Sequence, residues 1–394
     1  MSNSRMSKNI IIATHTYMGS PFVVGSHHIV KEAEKMGHRI IHLSTPLTMF
    51  HILKYSDNNV KKRFEIFLNI ILNKEIYKDD KGLNFVPMTL LPWKFAGFLY
   101  SKFKVNVMVK LSYPSILKIS KIFFSNDVID LLIIDHPHFV GIEKLIPAKR
   151  VIYRPTDIYY KMTRNKNTKI AEKCLCNNVN GIVATSKPVL DEIKNYNPNI
   201  KNTIIENGVE YEHFHTNHDI PEVLMKIEGP KAIYVGAIDN RFDINAIIHI
   251  ANNFPSLNIV LIGPYDKKVK ETLVDNSNVV LLGQIEYDHI PQYLSNCDIG
   301  LLPLSDHDAN RGRSPMKLYE YAASGLFVVS KWTEEIARRN EKFVGTYKDY
   351  DELLVVMEKA LNQKSMDSES ISNSAVRYSW GSQVKKLLEF SDTL

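Results

Sequence analysis

Short runs rich in β-branched residues alternate with longer amphipathic segments along most of the chain, and this rhythm limits the fold more than any other feature. It predicts strands over residues 9–14, 39–43, 131–134, 151–154, 181–184 and 203–206. After a polar interval strands resume at 231–235, 258–262, 279–282, 299–302 and 326–330. Helical spacing occupies the gaps, as at 26–36, 246–253, 290–295 and 315–323. Strands that are apolar throughout, with helices between them, belong to parallel sheets covered on both faces. A chain of 394 residues is too long for one ordinary core, so two domains of about 200 residues each are expected. The stretch 211–230, with its His, Asn, Pro and Gly, reads as their connection. The expected organisation is α/β, two doubly wound, Rossmann-like domains over 1–208 and 209–394, with the last helix crossing back to the first. Ligands of such sheets gather at the carboxyl ends of the strands, so the interdomain cleft is the expected active site.

Charge divides along the same line. Residues 1–200 hold 29 Lys and Arg against 15 Asp and Glu, a balance of +14, and the remainder hold 20 against 28, a balance of −8, giving the net +6. A basic half beside an acidic one points to an anionic partner for the first domain, either a membrane surface or nucleic acid. Nucleic acid is not expected, because no binding motif accompanies the basic residues and long apolar runs interrupt them. The three cysteines, Cys174, Cys176 and Cys297, have neither disulfide-framework nor zinc spacing, which fits a reducing cytoplasmic setting. The polar residues 1–8 precede an apolar run too short for a signal peptide, and no run of about 18 apolar residues occurs to span a membrane.

Residues 49–125 depart from the plan, with Phe, Tyr and Leu among lysines, most densely in LPWKFAGFLYSKFKVNVMV at 91–109. Aromatic rings beside amines suit the interface of an anionic bilayer. The plainer alternative is a pair of helices packed on the sheet with solvated lysines.

Chemistry concentrates in RGRSPMKLYEYAASGLFVV at 311–329. Ser314 suits an N-cap and Pro315 the first helical position, so a helix is expected to start here. Its first turn brings the amides around Met316 and the Lys317 ammonium together, which is a site for a diphosphate. Glu320, three residues on and on the same face, could accept bonds from two ribose hydroxyls. An amphipathic helix with an incidental Lys–Glu pair is the competing reading. In the first domain the loop 16–28 (TYMGSPFVVGSHH) follows the first strand and could hold a phosphate or sugar, with His27 and His28 lining the site or simply starting a helix. Asp306-His307-Asp308 has the wording of a metal motif but falls in a loop after Pro303, and no metal is expected there.

The run S-P-x-K-x-x-E-Y-x-A-x-G-x-x-V-V at 314–329 resembles the donor-site helix of GT-B-fold glycosyltransferases. VGAIDNRFD at 235–243 is similar to the first strand and loop of their donor domain, and 280–303 to the segment before the motif. NGVEYEHF at 207–214 resembles the segment closing their first domain. VIYRPTD at 151–157, with M-K-L-x-x-Y at 316–321, resembles the xanthan-type membrane-associated glucuronosyltransferases, which invert the anomeric centre.

The resemblance implies a UDP-sugar donor, possible glucuronate transfer, and a lipid-linked or growing surface-glycan acceptor at the inner face of a membrane. Lys317 and the amides at Met316, beside Ser314, would hold the diphosphate, and Glu320 the ribose. Backbone groups at Gln284 and Ile285 would read the base, while the loop containing Gly236, Ile238 and Asp239 would approach the diphosphate and sugar. Asp157 would be the base that takes the acceptor hydroxyl's proton; alternatively it caps the helix that follows. Arg241, Arg311 and Arg313 are candidates to meet a glucuronate carboxylate. No metal or other cofactor is implied, since Lys317 and the helix terminus can neutralise the leaving diphosphate. Many retaining members carry a second glutamate eight residues before Glu320, where this chain has Gly312, which weighs against retention. A retaining transferase, a UDP-sugar 2-epimerase of the same fold and a UDP-sugar-binding subunit without activity are the alternatives.

Overall fold

The apolar runs pair side by side as parallel strands. In this computed structural model, which describes residues 7–21, 23–72, 82–216, 218–310, 312, 314–362 and 367–394, the strands fall into two units, Met1–Glu206 with Gln383–Leu394 and Asn207–Ser382. The first unit contains β1 (Asn9–Thr14), β2 (Arg39–Ser44), β3 (Leu47–Thr48), β4 (Gly82–Phe85), β5 (Met88–Thr89), β6 (Ile129–Ile134), β7 (Ala148–Tyr153), β8 (Gly181–Ala184) and β9 (Asn202–Ile204). Seven of these make one sheet in the order β4-β2-β1-β6-β7-β8-β9, and β3 pairs with β5. The second unit contains β10 (Lys231–Val235), β11 (Asn258–Ile262), β12 (Val279–Gly283), β13 (Ile299–Leu302), β14 (Phe327–Lys331) and β15 (Val344–Tyr347). They form a sheet in the order β12-β11-β10-β13-β14-β15. The α/β, doubly wound architecture expected from the sequence is therefore present in both units.

Each sheet buries its middle strands completely. Ile10 to Ala13 on β1 are 1% exposed or less, and so are Ile259 to Ile262 on β11. Strand order reverses between β1 and β6 in the first unit and between β10 and β13 in the second. At such a switch point the flanking loops leave in opposite directions and open a crevice at the carboxyl ends.

The stretch 211–230 is not a free connection. It carries the helices Tyr211–His215 and Glu222–Met225, and their Phe214 and Leu224 are buried in the core of the second unit. The helix Trp380–Asp392 begins in the second unit, and its residues from Gln383 onward belong to the first.

Among residues 49–125 the helix Trp93–Phe103 turns Trp93, Ala96, Gly97 and Tyr100 inward, at the spacing of one helical face. Its other sides are apolar too: Phe95, Phe98 and Phe103 are more than half exposed, beside Lys94 and Lys102. Phe50 and Leu53, early in the same segment 49–125, are exposed as well. No helix among the described residues is long and apolar enough to cross a membrane.

One close approach governs the carboxyl edge of the second sheet. Gly263, just past β11, has φ +145°, and a Cβ there would stand 1.9 Å from the carbonyl oxygen of Gly236, just past β10. Backbone cannot yield as a flexible side chain does, so Gly263→Ala should force the two loops apart and lower stability by roughly 2 kcal/mol or more. Urea unfolding of the variant measures this, and an unchanged midpoint would contradict the packing described.

Candidate active site

At the carboxyl edge of the second sheet three loops are tied by backbone hydrogen bonds. Gly236 N–H donates to Ile262 O (2.8 Å), Gly263 N–H to Gly283 O (2.8 Å) and Ile238 N–H to Pro264 O (3.0 Å). Ile238 is thereby buried in the core, so at this position only the main chain can face a ligand. Between the loops after β10 and β11 opens a cavity of about 640 Å³ lined by Asp239, Phe242, Tyr265 and Lys268 among others. Asp239 is exposed and accepts from Arg241 Nη2 (2.5 Å) and Nε (3.0 Å). Gln284, just past β12, is exposed, and Ile285 packs partly buried against the core.

The helix expected at 315–323 begins one residue later, as Met316–Ala323, with Pro315 in the cap position. Ser314 therefore does not cap it. Its hydroxyl accepts from the Asn207 N–H (3.1 Å) and from Arg339 Nη2 (2.7 Å), pinning the chain before the first turn. Lys317 Nζ donates to Glu320 Oε2 at 2.8 Å, with the glutamate side chain 2% exposed and the lysine 28%. Two aromatic contacts hold this helix and its surroundings. The Val235 N–H at the end of β10 donates to Tyr321 Oη (2.8 Å), and Gly300 on β13 leaves the space that the Tyr321 ring fills, since a Cβ would meet that ring at 2.4 Å.

Beside Glu320, Tyr287 stacks on His213 with ring centroids 5.4 Å apart. Burial first, then the charges of Glu320 and Glu210, push its hydroxyl pKa well up, so it stays protonated. Neither Tyr287 nor His213 was singled out from the sequence. Asp306 and Asp308 are exposed, and no group of three or more His, Cys, Asp or Glu is placed to hold a metal among the described residues. Arg311 and Arg313 lie outside the described residues.

The carboxyl edge of the first sheet is built differently. His15 follows β1, Asp135, His136 and His138 follow β6, and Arg154, Thr156 and Asp157 follow β7. Asp135 Oδ2 accepts from Arg154 Nη1 at 3.2 Å with both side chains buried, and Asp135 Oδ1 has no hydrogen-bond partner. Burial raises the Asp135 carboxyl pKa, and Arg154 partly counters that. The His136 ring lies 4.2 Å from that of His138, 4.6 Å from Tyr159 and 5.6 Å from His15, and His138 stacks on Trp93 at 4.4 Å. Burial and the neighbouring imidazoles hold His136 well below its ordinary value, and burial pushes His138 down to about 3.

His27 and His28 lie in the first turn of the helix Gly25–Lys35, both buried. The His27 ring lies 5.4 Å from that of His42, and Ser26 Oγ stands 3.4 Å from both Thr14 Oγ1 and His42 Nε2. Asp157 is half-buried. It does not cap the next helix, Tyr159–Thr163, whose cap position is Ile158 with no side-chain bond. The sequence reading passed over the run Asp135-His136-Pro137-His138. Its signal was polar, ring-bearing residues immediately after a fully apolar strand.

Residues 229–363, all within the second unit, match the family model described as "Glycosyl transferases group 1". TuaH of Bacillus subtilis (strain 168), a protein named as a teichuronic acid biosynthesis glycosyltransferase, is 27% identical over 198 residues. That match covers 48% of this chain and 50% of TuaH, so it spans about half the length of this relative. Sucrose-phosphate synthase from Thermosynechococcus elongatus superposes with a TM-score of 0.69 at 12% identity, over 98% of this chain and 99% of its own. Anabaena HepE, solved in complex with UDP and glucose, gives 0.66 at 14% identity over 98% and 100%. A glycosyltransferase from Rickettsia africae ESF-5 gives 0.63 at 15% identity over 98% and 99%. At such identities the likeness is one of fold, and the fold is GT-B.

The imidazoles also set a pH dependence. Burial lowers His27 to about 4 and His42 to about 3, while in the unfolded chain both titrate near 6.5. Below about pH 6.5 the unfolded chain therefore binds protons that the folded chain refuses, and stability present above that pH is lost as pH falls toward the folded values. Each site should contribute a slope of about 1.4 kcal/mol per pH unit in that window. Urea titrations at pH 7 and pH 5 measure it, and His42→Gln should flatten the difference; an undiminished slope in that variant would exclude His42 as a source.

Proposed function

We propose that the protein is a glycosyltransferase that moves a sugar from a UDP-sugar to a lipid-linked or growing surface-glycan acceptor, inverting the anomeric centre with Asp157 as base. The observation that carries this reading is the ion pair of Lys317, in the first turn of a helix at the edge of a parallel sheet, with Glu320. An ammonium there, with the helix's free N–H groups, offers positive charge to a diphosphate. The carboxylate one turn on offers acceptors to ribose hydroxyls. The family match over 229–363 contains both residues, which favours a donor role over an incidental pair.

In this reading the diphosphate departs as UDP with its charge met by Lys317 and the helix terminus, without a metal. The base is read by main-chain groups near Gln284 and Ile285, and the Gly236–Asp239 loop approaches the sugar. Glucuronate is one possible sugar, and the Arg241 guanidinium, held against Asp239, is the described cation nearest in sequence to that loop. On the acceptor side His27 and His28 act through the packing of the first turn of their helix.

Membrane association accompanies the proposal. A helix that buries one face and still exposes Phe95, Phe98 and Phe103 beside lysines has apolar surface beyond its packing needs. The basic balance of the first half suits anionic lipid at the inner face of a membrane.

Two measurements test these points. Calorimetry with UDP, UDP-glucose, UDP-N-acetylglucosamine and UDP-glucuronate should show binding that Lys317→Ala weakens about a hundredfold, the loss of one charge-assisted contact of roughly 3 kcal/mol. Equal affinity in the variant removes Lys317 from the donor site, and the preferred sugar nucleotide identifies the donor. Co-sedimentation with phosphatidylserine-containing vesicles should fall when Lys94, Lys102 and Lys104 are neutralised, at about 1 kcal/mol per charge. Unchanged sedimentation returns the segment to ordinary packing.

A further inference from the structure

The contacts around Asp157 raise a question of proton count. Tyr159 Oη lies 2.8 Å from the main-chain oxygen of Asp135 and 2.7 Å from Thr156 Oγ1, and Thr156 Oγ1 lies 3.2 Å from Asp157 Oδ2. A carbonyl oxygen can only accept, so the one phenolic proton is committed to Asp135. The shorter contact, Tyr159 to Thr156, then needs the single proton of Thr156. With Asp157 ionised, one of the two oxygen pairs at Thr156 has no proton between them. With Asp157 protonated, the carboxylic acid donates to Thr156, Thr156 to Tyr159 and Tyr159 to the Asp135 carbonyl, and each of these three contacts is a hydrogen bond.

We infer that Thr156 and Tyr159 are positioning residues that favour the protonated form of Asp157 and so strengthen it as a base. This rests on the reading of Asp157 as the base of the transfer. In that step the acceptor oxygen bonds to the anomeric carbon, and the bond from that carbon to the diphosphate oxygen breaks with its electron pair leaving on UDP. The acceptor's hydroxyl proton passes to Asp157, which later releases it to solvent. A carboxylate surrounded only by donors would be a poor base, because hydrogen bonds to the charged form lower its affinity for a proton. Here the neighbouring hydroxyl has its own proton engaged elsewhere, and it turns an acceptor lone pair to the acid once the proton arrives.

Other ionisable groups face this cluster from each packed element. Asp135 after β6 is paired with Arg154 after β7. The His136 ring, 4.6 Å from Tyr159, stays neutral, with His15 beyond it. Lys161, on the helix of Tyr159, pairs with Glu192 on Lys187–Lys194 at 2.9 Å. Glu172, on Lys166–Asn178, accepts from Tyr153 Oη at 2.8 Å and is pushed up to about 7 by burial. Tyr159 itself is raised well above its ordinary value by burial and then by Asp157, so it does not titrate in the working range. Glu172 is the neighbour whose titration could be mistaken for that of Asp157, which makes Glu172→Gln the necessary control.

The test is the protonation midpoint of Asp157, read by carbon NMR of the full chain with its aspartate carboxyls labelled, and assigned by the signal that Asp157→Asn removes. In Tyr159→Phe the Thr156 proton is released to the ionised carboxylate, and the midpoint should fall by about half a pH unit or more. Thr156→Val removes the acceptor of the acid's proton and should lower it likewise. Thr156→Ser keeps the hydroxyl and should match the native midpoint, as should Glu172→Gln. A midpoint that is unchanged or raised in the Phe and Val variants overturns the inference. Thr156 is half-buried, so its Val variant carries the test if the buried Tyr159→Phe does not fold. Release of UDP from the sugar nucleotide selected by calorimetry tests the underlying reading separately. Asp157→Asn should lose it about a hundredfold or more; undiminished release refutes the base assignment, whereas lost release with unmoved midpoints refutes only the role of Thr156 and Tyr159.

Discussion

A parallel sheet covered on both faces cannot carry charge along its strands, so its chemistry collects where the strands end. Both units obey this constraint. The buried stretches Ile10–Ala13, Leu131–Ile134 and Ile259–Ile262 are apolar, and polar side chains gather just beyond the carboxyl ends of the strands: His15 after β1, Asp135 after β6, Arg154 after β7, and Asp239 in the loop after β10. Because those turns must also satisfy their own backbone, they are bound to one another. The ties from Gly236 to Ile262 and from Gly263 to Gly283 are the ladder of the sheet continued by one residue into its loops. The close approach of Gly263 and Gly236 follows from that continuation.

The two edges differ in how they hold charge. In the second unit each pair keeps a charge beside solvent, with partly exposed Lys317 on buried Glu320 and Arg241 on exposed Asp239. In the first unit the histidines at the edge are kept neutral by burial, and Asp135 is paired with Arg154 out of contact with solvent. A charged edge suits a diphosphate, while neutral rings and lone pairs suit the hydroxyls and ring faces of sugars. The basic excess of the first half, read from the sequence as a sign of an anionic partner, is therefore not built into its sheet edge. It includes the lysines between the exposed phenylalanines of Trp93–Phe103, where the partner would be a surface.

Legibility in the sequence followed burial. The strands β1, β8, β10, β11 and β13 coincide with their expected bounds, because the apolar run in each is buried on both faces and stands out from its polar flanks. The edge strand β4 was passed over, since its GLNF stands only half-buried, and the edge strand β15 (VGTY) escaped for the same reason. Ser314 was misassigned as a cap because capping and bridging use the same hydroxyl, and only the fold brings Asn207 and Arg339 to it. The imidazole cluster was hidden for a similar reason. His15, His42 and His136 lie far apart in the chain, and parallel pairing of β1 with β2 and with β6 is what gathers them.

Glu320 explains why the helix at Met316 can be poised for an anion without one. A carboxylate that is 2% exposed would lose its hydration with little return unless a cation stood beside it. Lys317 supplies that cation while keeping 28% of its side chain exposed, so the ammonium is held in one place and still faces water. In the proposed function an arriving diphosphate would meet a lysine already held by Glu320, which would lower the entropic cost of ordering it. The same ligand would compete with Glu320 for the ammonium, and the carboxylate freed by that competition would be the group available to a ribose. In that reading the pair would couple the diphosphate and ribose ends of the donor within a single helical turn.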